Sequence, residues 1–343
     1  MSLLFIEGFD FYQNLSATTG VAARWTINST SGASLVSGRF GGQAFRHSGS
    51  TQRYIQRSIP ATNTLAIGLA IKIEDASAVD ANRPLIVFMN GSGNQCGVGI
   101  NSSGQLIAFN GGIGTVLGTG SEVAFQDNVW YYLEVEVFVH DSTGSIVVHI
   151  DGDEALSVTG ADTRQQTGDD ITLVRLFGAA ATSANPHLMN WDDIYVNDDG
   201  TRLGPSRVDT LRPTADTAEA DWTPSAGADH YALVDETTIN GDTDYVSAAT
   251  PGHIDVYEMG DLGFTPDTVH AVQVTMVSRK DDAEARQVRT RLKSGTTTAD
   301  GTTQAMATSY LPYGDLYETD PDTAMAWTPG GVNAMQVGIE VVS

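Results

Sequence analysis

The chain has 343 residues, of which 41% are hydrophobic and 17% are charged, a balance typical of folded globular proteins. Lysine and arginine number 18 against 42 aspartate and glutamate residues, so the formal net charge is −24, which disfavours nucleic acid and anionic membranes as direct partners. The single cysteine, Cys96, excludes a disulfide within the chain, and no apolar run reaches the roughly 18 residues of a membrane span. No basic segment precedes Glu7 as in a signal peptide, so we expect a soluble, cytosolically made protein.

Short β-type runs separated by Gly, Asn, Asp and Ser clusters recur along the first half, and no long window shows helical periodicity. In chain order the runs lie at 65–73, 84–89, 104–109, 129–140, 144–150, 171–177 and 191–196. Apolar and polar residues alternate along 130–139, which predicts a half-buried strand. Asp151-Gly152 follows the run at 144–150 and predicts a hairpin turn rather than a catalytic acid.

Residues 197–213 break this rhythm, since they contain two prolines and turn residues without periodicity. We therefore predict two domains, 1–203 and 204–343. In the second, β-type runs lie at 231–234, 254–258, 269–278, 287–292, 303–311 and 333–342. Both domains are expected to be all-β. The run at 333–342 is expected to present an exposed edge, which favours contacts with another chain.

The segment WYYLEVEV (130–137), followed by SIVVHIDG (145–152), resembles the central strands of concanavalin A-like lectin/glucanase (laminin-G-like) jelly rolls. WDDIYV (191–196) resembles the last strand of that fold, which pairs near the first, here LFIEGFD (4–10). The resemblance implies that 1–203 is a jelly roll, and we expect 204–343 to be a smaller β-sandwich.

The whole chain is also similar to a family of virion structural proteins of tailed bacteriophages. The similarity follows the order of these segments: LLFIEGFDFY (3–12), GRFGGQAFR (38–46), VLGTG (116–120), WDDIYVNDDG (191–200), DWTPSAG (221–227), VDETTINGDTDYV (234–246), AVQVTMVSRKDD (271–282) and WTPGGVNAMQVGIEVV (327–342). It implies a protein on the exterior of the virion, as a head decoration or a tail appendage, made in the host cytoplasm. The expected partners are other virion proteins and further copies of the chain, with 204–343 supplying the contacts.

Candidate catalytic residues are few. Laminarinase-type enzymes carry Glu-x-Asp-x-x-Glu on one strand, and here only Glu134-Val-Glu136 comes near it, without the third carboxylate. No Gly-x-Ser-x-Gly elbow occurs, and the histidines and Cys96 lack zinc-ligand spacing. We predict a protein that is not an enzyme and needs no cofactor, with a glycan hydrolase as the alternative that Glu134 and Glu136 leave open.

A structural calcium ion is a further prediction. Some jelly rolls hold calcium between the first and last strands, and here Glu7 lies on the first and Asp192 on the last. Asp192 shares parity with Ile194 and Val196, the expected inward face, where a carboxylate needs a cation or hydrogen-bond donors. Hydrogen bonds from Trp, Arg or backbone N–H groups are the alternative.

A cell-surface glycan is the alternative partner to other virion proteins. The lectin-like resemblance implies sugar rings stacked on exposed aromatic side chains, which makes this domain an alternative host-attachment module. Four aromatic residues are candidates for that contact, and each could instead be a packing residue of the sheets. They are Tyr12, Trp25, Tyr54 and Tyr132.

Overall fold

The computed structural model describes residues 3–47, 53–76, 81–179 and 188–343. The chain divides into two compact units: the first is Met1–Phe9 with Arg24–Val208, and the second is Asp10–Ala23 with Asp209–Ser343. The division falls a few residues after the expected boundary at 203. Residues 201–208 belong to the first unit because they bond to its sheet, as in the Val208 N–H to Asp193 Oδ1 hydrogen bond of 2.9 Å.

The first unit contains two antiparallel sheets. Its strands are β1 (Leu3–Glu7), β2 (Thr26–Ile27), β3 (Ala33–Ser37), β4 (Gln43–His47), β5 (Arg53–Thr62), β6 (Thr64–Ile73), β7 (Arg83–Asn90), β8 (Gly93–Ile100), β9 (Gln105–Asn110), β10 (Val116–Val123), β11 (Trp130–Phe138), β12 (Gly144–Ile150), β13 (Asp153–Ala161), β14 (Ile171–Ala179) and β15 (Met189–Asn197). The first sheet has the order β13-β12-β11-β6-β15-β4-β3, with β1 also paired to β15. The second sheet has the order β10-β9-β8-β7-β14-β5-β2.

The two sheets pack face to face, and alternate residues of each strand form the core between them. The Arg57 guanidinium of the second sheet lies 3.9 Å from the ring centroid of Phe5 in the first. Gly178 of β14 faces His47 of β4 so closely that a Cβ on Gly178 would lie 1.9 Å from that of His47. These contacts fix the inward parity of the strands that make them, and the pairing registers extend it to their neighbours and so identify the outer faces.

The hairpin turn predicted at Asp151-Gly152 is present. Asp151 has φ 52° and Gly152 has φ 96°, and Ile150 pairs with Asp153. Both turn residues therefore occupy the left-handed region that a two-residue hairpin needs. Asp151 Oδ1 accepts a hydrogen bond from the Tyr132 N–H at 2.8 Å, so this acid completes the bend, as predicted.

The second unit contains shorter elements. They are a 3₁₀ turn (Val21–Ala23), β16 (Pro213–Ala220), β17 (Thr223–Pro224), a second 3₁₀ turn (Tyr231–Leu233), β18 (Val246–Ser247), β19 (Ile254–Met259), β20 (Val272–Ser278), β21 (Gln287–Ser294), β22 (Thr297–Asp300), β23 (Gln304–Ala305), β24 (Leu311–Tyr317), α1 (Pro329–Asn333) and β25 (Gln336–Val341). One sheet has the order β16-β19-β25-β21-β22, with β23 paired to β21, and β20 pairs with β24. The core contains Val272, Val274, Leu292, Trp327, Val332 and Met335.

The all-β prediction is confirmed, since within the described ranges α1 is the only α-helix and it is five residues long. No helix of those ranges is long and apolar enough to cross a membrane. The expected exposed edge at 333–342 is wrong. β25 pairs with β19 on one side and with β21 on the other, so its backbone hydrogen bonds are used inside its own sheet.

Candidate functional site

The outer face of the first sheet holds the two glutamates of the hydrolase alternative. Glu134 and Glu136 alternate with the inward residues of β11. Glu134 is fully buried, and its Oε1 accepts hydrogen bonds from Tyr195 Oη at 2.7 Å and from the Gly204 N–H at 2.8 Å. Its Oε2 accepts a hydrogen bond from Arg202 Nη1 at 3.1 Å. The residues that follow β15 therefore close over Glu134.

This arrangement depends on a glycine in the neighbouring strand. Gly68 lies between Glu134 and Tyr195 in the register of the sheet, and a Cβ there would lie 2.1 Å from the Tyr195 ring. Burial raises the pKa of Tyr195 far above its usual value, so its hydroxyl is a hydrogen-bond donor to the carboxylate. Glu136 is 34% exposed and lies 3.7 Å from His149 Nδ1. Hydrogen bonds hold the buried Glu134 carboxylate in place, whereas the Glu136 carboxylate lies at the surface. The two glutamates therefore do not form a pair of accessible acids.

The two residues of the predicted calcium site both accept hydrogen bonds from the protein. Glu7 accepts one from the Phe9 N–H at 3.0 Å and one from Trp25 Nε1 at 3.3 Å. Asp192 Oδ2 accepts one from the Arg39 N–H at 2.8 Å. Backbone N–H groups and a tryptophan are the donors that we expected in place of calcium. Each carboxylate is almost completely buried.

Glu7 and Asp192 point to opposite faces of the first sheet. β15 shifts its register against β6 between Asp192 and Tyr195, and Asp193 has φ 49°. Asp192 and Tyr132 both pair with Ala70, which puts Asp192 on the outer face. The expectation that Asp192 points inward is therefore wrong, because a bulge interrupts the alternation. Calcium between Glu7 and Asp192 stays a prediction, and no group of three or more His, Cys, Asp or Glu side chains among the described residues suits a metal ion.

The four aromatic candidates for sugar contact fall into two classes. Tyr12, Trp25 and Tyr132 are at most 1% exposed, so they are packing residues. Tyr54 is half-buried and lies on the outer face of the second sheet. Its partner across β5 and β14 is Phe177, and their ring centroids are 5.6 Å apart. Of the four, Tyr54 alone stands where a ligand could reach it.

Arg175 stands beside Tyr54 on the same face. Its guanidinium carbon lies 3.9 Å from the Tyr54 ring centroid, and its Nε and Nη2 donate to Gln56 Oε1 at 2.9 and 2.8 Å. Arg175 pairs with Gln56 in the register of β14 and β5, and the pair of Phe177 with Tyr54 is the next one along that face. We name Tyr54, Gln56 and Arg175 the Arg175 cluster.

An apolar group surrounds the Arg175 cluster. It consists of Val87, Met89, Phe109 and Phe177, with Tyr54, Ile113 and Leu173 packed against it. Gly97 makes room for this group, because a Cβ there would lie 2.5 Å from Cζ of the Phe109 ring. These four central residues are at most 5% exposed, so the apolar group is a buried cluster beside the half-buried Arg175 cluster.

Several polar atoms of the Arg175 cluster make no hydrogen bond within the described part of the chain. They are Arg175 Nη1, Gln56 Nε2 and Tyr54 Oη. Burial lowers the pKa of Arg175 from its ordinary value, although an arginine stays cationic in proteins. A few convergent polar groups among apolar side chains are typical of small-ligand sites. The cluster can donate several hydrogen bonds to one ligand and place a positive charge beside it.

The sequence contains a signal that points to Arg175. The run at 171–177 predicts a strand, and in it Leu173, Arg175 and Phe177 share one face. An arginine between two large apolar residues on one strand face is unusual for a solvated surface. The pairing of β14 with β5, which brings Gln56 and Tyr54 alongside, joins distant segments and has no local signal.

Comparison with known proteins gives the fold a wider context. No protein-family model and no curated protein matches the chain. Solved structures do, among them a cellulose-induced protein (17% identity, 59% of this chain and 93% of that one, TM-score 0.40). An alginate lyase from a Chlorella virus (8%, 58% and 99%, TM-score 0.42) and a carbohydrate esterase from the Shiga toxin-encoding bacteriophage phi24B (15%, 56% and 98%, TM-score 0.36) also match. Such distant likeness extends to a β-sandwich and assigns no activity to this chain.

The prediction of a non-enzymatic protein is corrected by these comparisons: two of these three neighbours are named as enzymes, a lyase and an esterase, so the architecture gives no ground for that prediction. The third carboxylate that is missing after Glu134 and Glu136 belongs to the pattern of one enzyme type only. A fold hosts many chemistries through different sites. The absence of one motif therefore does not exclude catalysis by a protein of this architecture.

Proposed function

We propose that the protein lies on the exterior of a tailed-phage virion and that its first unit binds carbohydrate through the Arg175 cluster. The observation that carries the glycan proposal is that Arg175 Nη1, Gln56 Nε2 and Tyr54 Oη belong to one cluster on one sheet face and make no hydrogen bond within the described part of the chain. A sugar ring combines hydroxyl groups with apolar C–H faces. Such a ligand matches a site that mixes hydrogen-bond donors with aromatic and aliphatic side chains.

The virion location is supported by the similarity of segments along the whole sequence to tailed-phage structural proteins. On this proposal the protein is a head decoration or a tail appendage, and the glycan belongs to the host cell surface. Other virion proteins and further copies of this chain are its partners, with the second unit supplying contacts. The net charge of −24 favours such partners over nucleic acid and membranes.

A glycan array probed with the full chain tests the carbohydrate proposal. We expect binding to a restricted set of glycans and its loss in Tyr54→Ala. The matched control is Tyr245→Ala, which removes a tyrosine that is 41% exposed in the second unit and should leave binding unchanged. Products released from each bound glycan are measured in the same samples. No binding to any glycan, or equal binding by both variants, would overturn the proposal.

The location has a separate test in purified particles. A reconstruction of the virion, or labelling of intact particles with antibody to this chain, should place it outside the head or on the tail. Sedimentation at micromolar concentration measures self-association of the isolated protein. Absence of the chain from washed particles would refute the location without affecting the array result.

A further inference from the structure

Arg175 has no carboxylate partner among the described residues, unlike several other arginines of this acidic protein. Arg202, Arg164 and Arg289 lie 2.8–3.1 Å from Glu134, Asp141 and Glu340, respectively. Arg175 contacts a neutral amide and two aromatic rings, and no acidic side chain among the described residues pairs with it. The chain has 42 acidic residues, yet none of the described ones compensates this cation.

A partly desolvated charge without a counter-ion is unfavourable. Binding of an anion reduces this unfavourable free energy, because a charge-assisted hydrogen bond is stronger than a neutral one. Arg175 is held in position for such a bond, since Gln56 takes two of its N–H groups and the Tyr54 ring supports its plane.

The remaining donors of Arg175 have a definite geometry. Gln56 Oε1 occupies the edge formed by Nε and Nη2. A guanidinium has five N–H donors in a planar fork, so the edge formed by Nη1 and the second N–H of Nη2 is left. That edge presents two parallel N–H groups, which match the two oxygens of a carboxylate.

From this geometry we propose that the Arg175 cluster recognises an acidic sugar, with the ligand carboxylate bound by the Nη1–Nη2 edge of Arg175. The inference rests on the proposed glycan function and names its ligand class, a polymer containing uronic acid. The half-buried Tyr54 ring, packed against the buried Phe177, supplies apolar surface for the sugar ring. The protein's own net charge of −24 opposes unspecific attachment of a polyanion, so binding of such a polymer reports a specific site.

The test uses the full chain and two forms of one polymer. Polygalacturonate carries free carboxylates, and its highly methyl-esterified form has the same backbone without the charge. Titration calorimetry should show binding of the free acid that is ~10-fold or more tighter than binding of the ester. Arg175→Gln should lose that preference, whereas Arg286→Gln removes the same charge from the second unit and should keep it.

The Gln56→Glu variant distinguishes loss of acid binding from loss of folding. It places a carboxylate on Arg175 from within the chain, so we expect an unchanged or raised melting temperature together with loss of acid binding. Equal binding of ester and free acid, or a Gln56→Glu variant that binds like wild type, overturns the acidic class while the glycan proposal stands. Binding of the ester alone would also overturn the acidic class and leave the glycan proposal standing. No binding of either polymer, combined with an empty glycan array, overturns both.

Discussion

Replacing Glu134 with glutamine tests whether this buried carboxylate holds residues 201–208 against the first sheet. The amide is isosteric and keeps one oxygen, which can still accept from Tyr195 and Gly204. Its NH₂ group, however, then faces Arg202 Nη1, at a position where the carboxylate accepts a hydrogen bond at 3.1 Å. Two donors point at each other, and the charge-assisted bond is lost.

The expected cost follows from burial. A hydrogen bond to a charged group contributes about 1.5–3 kcal/mol. Arg202 is 28% exposed and can turn towards water, so we expect the lower part of that range, about 2 kcal/mol. In a domain of this size each kcal/mol lowers the melting temperature by about 2–4 °C. Glu134→Gln should therefore lower it by about 4–8 °C.

Differential scanning calorimetry and urea unfolding at neutral pH measure this change. Glu136→Gln is the matched control on the same strand, because Glu136 is 34% exposed and 4.0 Å from Arg202 Nε. A surface pair of this kind contributes about 0–1 kcal/mol. Equal losses of stability in the two variants would refute the reasoning, since they would show that burial of Glu134 has no energetic consequence.

Three further predictions concern stability. Glu7 and Asp192 point to opposite faces of the first sheet, so we expect equal melting temperatures in calcium and in chelator; a rise in calcium that Asp192→Asn abolishes would instead support the predicted ion. His47 is buried and its pKa is lowered chiefly by burial, so the unfolded chain binds its proton first and stability should fall as pH drops below about 6.5. A His47→Gln variant should show a shallower fall, and identical pH profiles would contradict this. Asp255 is fully buried and bonded to His230 Nδ1 at 2.7 Å, so Asp255→Asn should cost about 3 kcal/mol in urea unfolding, and an unchanged midpoint would count against it.

The parts of the fold that sequence predicts are those with local causes. Alternation along 130–139 reflects a strand with one face in the core, and β11 is found there. Asp151-Gly152 predicts its turn because few residues tolerate a positive φ. The virtual absence of helical periodicity likewise predicts the all-β class. Each of these signals lies within a few residues of the element it specifies.

The predictions that were wrong or missing depend on pairings between strands that are far apart in the sequence. Parity along 191–196 fails at Asp193, where the strand bulges against β6 and the alternation restarts. The place of β25 between β19 and β21 depends on partners far away in sequence. Its own sequence therefore does not show whether it lies at the edge or in the middle of its sheet. The Arg175 cluster joins Arg175 to residues that lie 119 or more positions before it, and the cluster exists only after β14 and β5 pair.

The division of the chain into units has a consequence for how it can be dissected. The chain leaves the first unit after Phe9, contributes Asp10–Ala23 to the second, and returns at Arg24. In the second unit the Phe11 carbonyl accepts the Ile239 N–H at 3.2 Å, and Asp10 accepts from Thr210 Oγ1 at 3.1 Å. Neither unit is one continuous stretch of gene. A single proteolytic cut or an exchange of one coding segment between related genes would therefore transfer an incomplete fold, so the two units must be inherited, expressed and engineered together.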